Sequence, residues 1–321
     1  MAARSGSALS LQSRIFALFL ALLLVVLGVT LYTVSRATYR HSIARAEDEL
    51  AYGRRIFYDN LESRRRALAE SGTALAKEDA LRQAVFAGGL DRDSVTVALD
   101  NHRARTSADL ALLVGLDGTV LADTADRRRE NKPFAFPELL REPAAAESTS
   151  PASRIATLED VAYQLVAVPY YVPVSAPRPS LWLVLGRALD DRFAIEMQLL
   201  LGADVAIVRG GGAPRLLASS LAGAGRATVA ELADEGETVA VKRLAGVEML
   251  VLPVALPAAD GLTAVLLRPT AAALLDYRQL SGRFALVALG AAMLALVGAL
   301  VFARGVARPI HSLGEAARRV A

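Results

Sequence analysis

The sequence predicts an α+β protein in which a long N-terminal helix and two tandem antiparallel-sheet modules lie between two transmembrane helices. Two uncharged runs, one near each end of the chain, have the ~20 apolar residues that a helix needs to cross a bilayer. An apolar stripe with helical spacing follows the first run. An order of strand, tight turn and further strands then occurs twice before the second run.

The composition agrees with membrane segments joined to folded material. Of the 321 residues, 54% are hydrophobic and 21% are charged, so the chain is more apolar than an ordinary soluble domain. The 36 basic and 33 acidic residues give a formal charge of +3, which lacks the basic excess of a nucleic-acid-binding protein. Because the sequence has no cysteine, disulfide, iron–sulfur and thiol chemistry are excluded.

The first uncharged run, residues 15–34, is predicted to be the first transmembrane helix, behind a cytoplasmic N-terminus of residues 1–14. A cleaved signal peptide is the alternative. The run is longer than the ~7–15 residues of a signal-peptide core. It is followed by Ser35-Arg36 rather than by a small-residue cleavage site. We therefore predict an uncleaved anchor.

The basic residues that flank the two runs predict the orientation. Two arginines precede the first run, and four follow the second run, residues 284–303. The positive-inside rule then places both termini in the cytoplasm and residues 35–282 outside it, as in a protein of the bacterial inner membrane. Arg36, Arg40 and Arg45 favour the opposite orientation, but long translocated segments tolerate such charges.

Residues 35–80 are predicted to form a long stalk helix, because the segment lacks proline and carries one apolar stripe. The stripe has mostly heptad spacing and consists of Ile43, Leu50, Phe57, Leu61, Leu68 and Leu75. Two interpretations fit this stripe. The helix either pairs with a second copy of the chain while it backs a domain, or it packs only on its own sheet.

The first, membrane-distal module is predicted to span residues 81–201. Residues 108–124 hold two apolar runs around a Leu-Asp-Gly turn, which is a strong hairpin signal. A charged, proline-containing loop, residues 125–153, follows, and its length suggests a cover for a binding site. The further predicted elements are strands at 161–169 and 181–186 and a helix with Asp190 or Asp191 as its N-cap.

The second, membrane-proximal module is predicted to span residues 202–281. Residues 204–219 again form a strand, a glycine turn and a strand. Two later strands, at 247–254 and 262–267, match those of the first module, and a helix from Thr270 leads towards the second uncharged run. The chain therefore contains two sheet modules of one kind.

Residues 304–321 follow the second run directly. The apolar residues there alternate in steps of four and three, the spacing of a helix that packs on a partner helix; they are Val306, Ile310, Leu313, Ala317 and Val320. We therefore predict a homodimer. The residues assigned to signal relay are Pro309, Ile310, Leu313 and Ala317.

Three segments carry a family resemblance. They are Tyr163 to Pro169 (YQLVAVP), Leu181 to Asp191 (LWLVLGRALDD) and the Arg308-Pro309-Ile310 start of the last helix. Together with the two runs and the two modules, they make the chain resemble a double CACHE sensor, built of PAS-like modules, followed by the first helix of a HAMP linker. The first module is most similar to the CACHE variant that precedes diguanylate cyclase (GGDEF) and phosphodiesterase (EAL) domains.

The resemblance implies a transmembrane receptor that senses an extracytoplasmic ligand and relays the signal through HAMP to cyclic-di-GMP turnover. A HAMP unit needs two helices per subunit and one is present, so we expect the sequence to be a fragment. Amino-acid-sensing CACHE proteins carry an Arg-x-Trp-Tyr cluster with a later Tyr-x-Asp, and its absence argues against an amino-acid ligand. The alternatives are a chemoreceptor, a histidine kinase and a membrane-anchored scaffold that binds a protein partner.

Catalytic and metal-binding patterns are missing from the sequence. The histidines, His41, His102 and His311, are scattered, and the glycine clusters lack the spacing of a phosphate-binding loop. We therefore expect no enzyme activity, no metal and no cofactor in this chain.

A ligand site is predicted in the first module, because this module has the aromatic residues and the long loop. The candidates for binding an unknown small molecule are Tyr163, Gln164, Tyr170, Tyr171, Trp182, Arg154 and Arg187. Strand alternation puts Tyr163 and Gln164 on opposite faces of one strand. The alternative is that Tyr163 and Trp182 are core residues and that Arg187 lies on the surface.

Overall fold

The computed structural model describes residues 11–86, 92–106, 108–140, 151–172, 176, 178–211, 213–232, 236–257 and 261–273, with 282–283, 286–287, 289–294 and 297–298. The described residues fall into two compact units. One is Glu47–Pro269, and the other comprises the described residues before and after this range.

The first helix, α1, is continuous over 65 residues, Leu11–Leu75, and contains the uncharged run 15–34. Apolar side chains of this run, such as Leu22 and Val25, are more than half exposed. Among the residues that the structure describes, no helix combines the length and the apolarity that crossing a membrane requires. The relay residues Pro309, Ile310, Leu313 and Ala317 lie outside the described residues, as does part of the run 284–303.

The apolar stripe of α1 is buried inside the unit Glu47–Pro269. Leu50, Phe57, Leu61, Leu68 and Leu75 are all at most 3% exposed. Leu68 and Leu75 belong to the core of the first sheet. Of the two interpretations of the stripe, the structure therefore shows packing on the chain's own modules. Between Leu50 and Leu75, these side chains of the stripe are buried by the chain itself.

Two short helices follow α1: α2, Asp79–Phe86, and α3, Arg92–Arg105. The sequence did not predict them. Their buried residues Leu81, Val85, Val95 and Leu99 join the same core as Leu68.

The first sheet has five antiparallel strands in the order β2-β1-β5-β4-β3. The strands are β1 Leu110–Gly115, β2 Val120–Asp123, β3 Ala152–Leu158, β4 Val161–Tyr170 and β5 Leu181–Ala188. Helix α4, Asp191–Leu201, follows, and its N-cap is Asp190, whose side chain accepts a hydrogen bond from the backbone N–H of Phe193. The predicted hairpin and the two later strands are confirmed.

The second sheet also has five antiparallel strands, and its order, β7-β6-β10-β9-β8, matches that of the first position by position. The strands are β6 Asp204–Arg209, β7 Arg215–Ser219, β8 Ala240–Leu244, β9 Val247–Ala255 and β10 Leu262–Pro269. Helices α5, Gly223–Thr228, and α6, Thr270–Ala273, lie between β7 and β8 and after β10. The predicted fold class, α+β with a long helix and two antiparallel sheets, is confirmed.

The first sheet packs on both of its faces. Val166, Val168 and Tyr170 of β4 belong to the core with α1, α2 and α3, called here the helix-side core. Leu165 and Ala167 belong to a second core, called here the loop-side core, with Phe134 and Leu139 from the segment after β2. The alternation predicted for this strand is therefore confirmed, and described residues of the loop 125–153 cover one face of the sheet.

The two strands that the sequence analysis missed, β3 and β8, are the edge strands at the same end of each sheet. Both mix polar and apolar residues, ASRIATL in β3 and AVKRL in β8. Neither strand therefore has a continuous apolar run to reveal it, whereas the edge strands β2 and β7 were predicted because a tight turn joins each of them to an apolar strand. The predicted loop 125–153 accordingly ends where β3 begins, at Ala152.

Gly72 allows α1 to lie close against the first sheet. A Cβ atom at this position would lie 2.8 Å from Cγ2 of Val168 and 3.3 Å from Cδ1 of Leu185. Any side chain here would therefore force the helix or the sheet to move.

Candidate functional site

A cavity of about 380 Å³ opens between α1, the edge of the first sheet and the end of β9. Its volume is at the lower end of the ~300–1,000 Å³ typical of small-molecule sites. All of its lining residues belong to the unit Glu47–Pro269. Three segments that are distant in sequence therefore meet around one space.

One wall of the cavity comes from α1, through Tyr58, Leu61, Glu62 and Arg65. These positions are three or four residues apart, so they lie on one face of the helix. The hydroxyl of Tyr58 donates a 2.8 Å hydrogen bond to the carbonyl oxygen of Ala255. Burial raises the pKa of this phenol. Tyr58 thereby joins the helix to the end of β9, two residues before Pro257, which also lines the cavity.

The charged pair on this wall is Glu62 and Arg65. Arg65 donates from Nε and Nη2 to the two carboxylate oxygens of Glu62, at 2.7 and 2.8 Å. Arg66 donates from Nε to the same carboxylate at 2.9 Å. The hydrogen bond from Arg65, together with that from Arg66, holds the pKa of Glu62 at about 2. Glu62 is therefore a carboxylate at every physiological pH.

The opposite wall comes from the edge of the first sheet, through Ser153, Arg154 and Ile155 of β3. Arg154 donates from Nη1 to Oε1 of Glu138 at 2.6 Å. Its guanidinium also lies 5.5 Å from the ring centroid of Phe136, within the range of a cation–π contact. Arg154 is thus held in place by the described part of the loop 125–153.

Gln164 of β4 lies between these two walls and is 5% exposed. Its Nε2 donates a 2.8 Å hydrogen bond to the carbonyl oxygen of Leu61. This bond joins β4 to α1 directly. Within the described part of the chain, its buried Oε1 accepts no hydrogen bond, and such an oxygen retains its desolvation cost.

A second ionic contact fixes α1 near the cavity. Arg64, which is 8% exposed, donates from Nη2 to Glu196 of α4 at 2.5 Å. Its guanidinium carbon lies 4.5 Å from the ring centroid of Phe193. Burial lowers the pKa of Arg64, the positive charge of Arg187 lowers it further, and Glu196 opposes both effects. Arg64 belongs to a run of three arginines, Arg64-Arg65-Arg66, and it is buried because α4 covers it.

The structure brings together two of the seven predicted ligand-binding residues, Arg154 and Gln164, at this cavity. Trp182 lies in the loop-side core, and Tyr163 packs against that core; burial raises the pKa of Tyr163. The other three lie elsewhere. Tyr170 is fully buried in the helix-side core, Tyr171 is half-buried just after β4, and Arg187 pairs with Gln164 across β4 and β5.

Sequence reasoning missed the cavity residues that α1 and the end of β9 supply. Tyr58, Glu62 and Arg65 lie beside the apolar stripe of α1, where they resemble ordinary flanking residues. Leu61 itself was recognised only as part of the stripe. One sequence feature could have indicated the site. Arg65 lies four residues after the buried Leu61, so its charge lies next to the core-facing side of α1.

A metal centre does not form in the described part of the chain, where no group of three His, Asp or Glu residues could hold a metal ion. His102 is buried and pairs with Glu78, which also accepts from Arg105 at 3.4 Å. This cluster joins the connection between α1 and α2 to α3.

Several solved structures of sensor domains are similar to this chain. The periplasmic domain of LuxQ from Vibrio cholerae matches at 13% identity and a TM-score of 0.44, over 68% of this chain and 99% of that domain. The sensor domain of the V. cholerae histidine kinase DctB matches at 15% identity and a TM-score of 0.45, over 72% of this chain and 98% of that domain. The sensory domain of the Campylobacter jejuni chemoreceptor Tlp3 matches at 12% identity and a TM-score of 0.44, over 75% of this chain and 99% of that domain.

These similarities are remote, with identities of 15% or less and TM-scores below 0.5. They do not constrain what this chain binds. No protein-family model and no curated protein matches the sequence.

Proposed function

We propose that the chain is the sensing part of a transmembrane signal-transduction receptor, and that a small molecule binds in the cavity between α1, β3 and Pro257. The observation that carries this proposal is the continuity of α1. The same helix, Leu11–Leu75, contains the uncharged run 15–34 and supplies one wall of the cavity. Occupancy of the cavity therefore acts on a helix that leads into the predicted anchor.

The physical basis of the relay is differential affinity. A ligand shifts an equilibrium between two packings only if it binds one of them more tightly. The cavity is lined by α1, by the first sheet and by Pro257 after β9, so a ligand there contacts all three. β9 pairs with β10, and β10 ends at Pro269, directly before the residues that lead to the run 284–303.

The remaining parts of the proposal rest on the sequence pattern. Runs 15–34 and 284–303 anchor the chain in the bacterial inner membrane, residues 35–282 are extracytoplasmic, and both termini are cytoplasmic. Modules 81–201 and 202–281 are CACHE-like, and residues 304–321 begin a HAMP linker. The chain acts as a homodimer, and the output is cyclic-di-GMP turnover by a domain that these 321 residues do not contain. A chemoreceptor or histidine kinase output is the alternative within signalling.

A protein-binding scaffold is the second candidate, because α4 exposes apolar side chains. Ile195, Leu199 and Leu200 are 47%, 82% and 54% exposed. Three exposed aliphatic side chains on one short helix provide a surface that a protein partner could cover. In that case the modules would bind a protein and no small molecule.

A thermal-shift screen of the full chain against a metabolite library tests the proposal. A compound at ~100 times its Kd stabilises the folded state by about 2.7 kcal/mol, so a true ligand raises the melting temperature. The variant Ser153→Trp, which fills the cavity, should lose this shift. The matched variant Thr157→Trp, on the same strand but outside the lining, should keep it. Co-purification of a protein partner without any stabilising compound would favour the scaffold instead.

The proposed dimer is tested separately by cross-linking. The chain has no native cysteine, so Leu313→Cys introduces a single thiol. We expect a disulfide-linked dimer in native membranes, and a monomer under oxidising conditions would contradict the dimer.

A further inference from the structure

The charges around the cavity do not balance. Arg65 and Glu62 line the cavity and form an ion pair, and Glu62 also pairs with Arg66. Arg154 lines the cavity too, but its guanidinium is neutralised by Glu138 and lies over the ring of Phe136. Within the described residues, the cluster of Arg65, Arg66 and Glu62 therefore carries one excess positive charge. A ligand with a single negative charge would neutralise it, whereas a dianion would leave a net negative charge.

The guanidinium of Arg65 can exchange its partner Glu62 for a ligand carboxylate at a low free-energy cost. It donates from Nε and Nη2 to Glu62, and none of its contacts to the described residues uses Nη1. If Arg65 turned towards a ligand carboxylate, Glu62 would keep its 2.9 Å bond from Arg66. The carboxylates of Glu62 and of the ligand would then each have a guanidinium partner. This avoids the main penalty of breaking an ion pair, which is a charge left unpaired.

The rest of the lining is mainly apolar. Leu61, Ile155 and Pro257 and the ring of Tyr58 surround the space, and the 380 Å³ volume fits a body of about one ring. The polar amide of Gln164 is engaged through Nε2 with Leu61. The cavity therefore offers one charged end and an apolar remainder.

We infer that the cavity binds a small monocarboxylate with an apolar body, whose carboxylate is held by Arg65 and whose body packs against Leu61, Ile155 and Pro257. This inference rests on the proposed sensing function, because it names the class of ligand for the same cavity. Arg65 is then the residue that selects for the negative charge. A bidentate guanidinium–carboxylate contact is the strongest interaction that this lining can make.

Calorimetric titration of the purified full chain with benzoate and with benzamide tests the inference. The two probes share a ring and differ in charge. Benzoate should bind at least about tenfold more tightly than benzamide, because Arg65 makes a charge-assisted contact with the carboxylate and not with the neutral amide. Arg65→Gln should weaken benzoate binding by about tenfold or more.

Arg55→Gln is the matched control. Arg55 lies on the same helix α1 and carries the same charge, but it is exposed and does not line the cavity. Its substitution should change benzoate affinity by less than about twofold. The melting temperatures of both variants report folding, and Arg65→Lys serves as a second variant that keeps the charge and loses the planar fork.

Three results would overturn the inference: equal affinity for benzamide and benzoate, an equal loss of affinity in the two Arg→Gln variants, or no heat with benzoate at millimolar concentration. The proposed function fails separately. If a neutral or cationic metabolite stabilises the chain and Ser153→Trp abolishes this effect, the cavity is still a sensing site and only the ligand class is wrong.

Discussion

The two sheets of this chain share one strand order but differ in what surrounds them. The first sheet contains Tyr163, Tyr170 and Trp182, has α1, α2 and α3 on one face, and has Phe134 and Leu139 on the other. The segment 204–269, which forms the second sheet, contains no Phe, Tyr or Trp. The cavity likewise takes four residues from the first sheet and only Pro257 from beyond β9. The duplicated architecture thus has one chemically diverse copy and one aliphatic copy.

We propose that this difference reflects a division of labour. The first sheet supplies the cavity residues Ser153, Arg154, Ile155 and Gln164, while the second supplies a uniform aliphatic core through which packing changes reach β9 and β10. The two copies are joined by α1 and α4. Tyr58 bonds to Ala255, and Asp191 accepts from the backbone N–H of Ser219.

The largest expected effects come from equivalent leucines in the central strands. Leu185 of β5 and Leu266 of β10 are both fully buried, so each Leu→Ala variant should lose about 2–5 kcal/mol of stability. Because α1 contacts both sheets, we expect each variant to shift a single calorimetric transition. Two separate transitions, with each variant moving only one, would show that the sheets unfold independently.

A smaller effect distinguishes two glycines of α1. Gly72→Ala places a Cβ atom 2.8 Å from Val168 of the first sheet, and such overpacking costs about 1–3 kcal/mol. Gly53→Ala is the matched control, since its Cβ atom would meet Leu201 at an ordinary 3.8 Å. The helix propensity of alanine favours both variants by up to ~1 kcal/mol. In chemical denaturation, Gly72→Ala should therefore be destabilised and Gly53→Ala should be neutral or stabilised.

Acid titration should report the ion pair in the cavity wall. The pKa of Glu62 is about 2 in the folded chain, below its ordinary value of 4.5. Its ion pairs therefore stabilise the fold above about pH 4.5, and this contribution is lost as the pH falls towards 2. The Glu62 side chain is 42% exposed, so the effect should stay below ~1 kcal/mol.

The variant Glu62→Gln checks this pH dependence. Its stability at pH 7 should be lower than that of the wild type, and the difference should disappear near pH 2. A difference that is constant across this range would mean that the carboxylate charge contributes nothing.

The smallest effect is expected at the surface ion pair that joins the two sheets. Arg215 of β7 contacts Asp160, between β3 and β4, at 2.6 and 2.8 Å, and both side chains are more than half exposed. Exposed pairs contribute about 0–1 kcal/mol and are weakened by salt. A double-mutant cycle with Arg215→Ala and Asp160→Ala should therefore give a coupling energy under ~1 kcal/mol. A larger coupling energy would show that this ion pair helps to hold the two modules together.

Much of the fold could be predicted from local patterns. The Leu-Asp-Gly hairpin, the alternation of β4 and the N-cap at Asp190 each depend on a few neighbouring residues. The strands β3 and β8 could not be predicted, because their mixed polar and apolar sequences contain no apolar run and no tight hairpin signal identified them. Helices α2 and α3 are short, and their apolar residues complete a core that only the tertiary packing defines.

The candidate site was less predictable than the fold. Arg154 and Gln164 were predicted and do line the cavity, but Tyr163 and Trp182 face the opposite side of the sheet. The cavity joins Arg65, Arg154 and Pro257, which are far apart in sequence. No local pattern contains all three, so only the packing of α1 against both sheets reveals the site.

Hydrogen exchange of the full chain, with and without a stabilising compound from the screen, tests the central claim most directly. We expect added protection at 58–65, at 153–155 and at Gln164, because these lining residues carry backbone amides and the ligand contacts them. Protection confined to 124–140, over Trp182 and the loop-side core, would place the ligand on the other face of the first sheet and contradict the proposed cavity site.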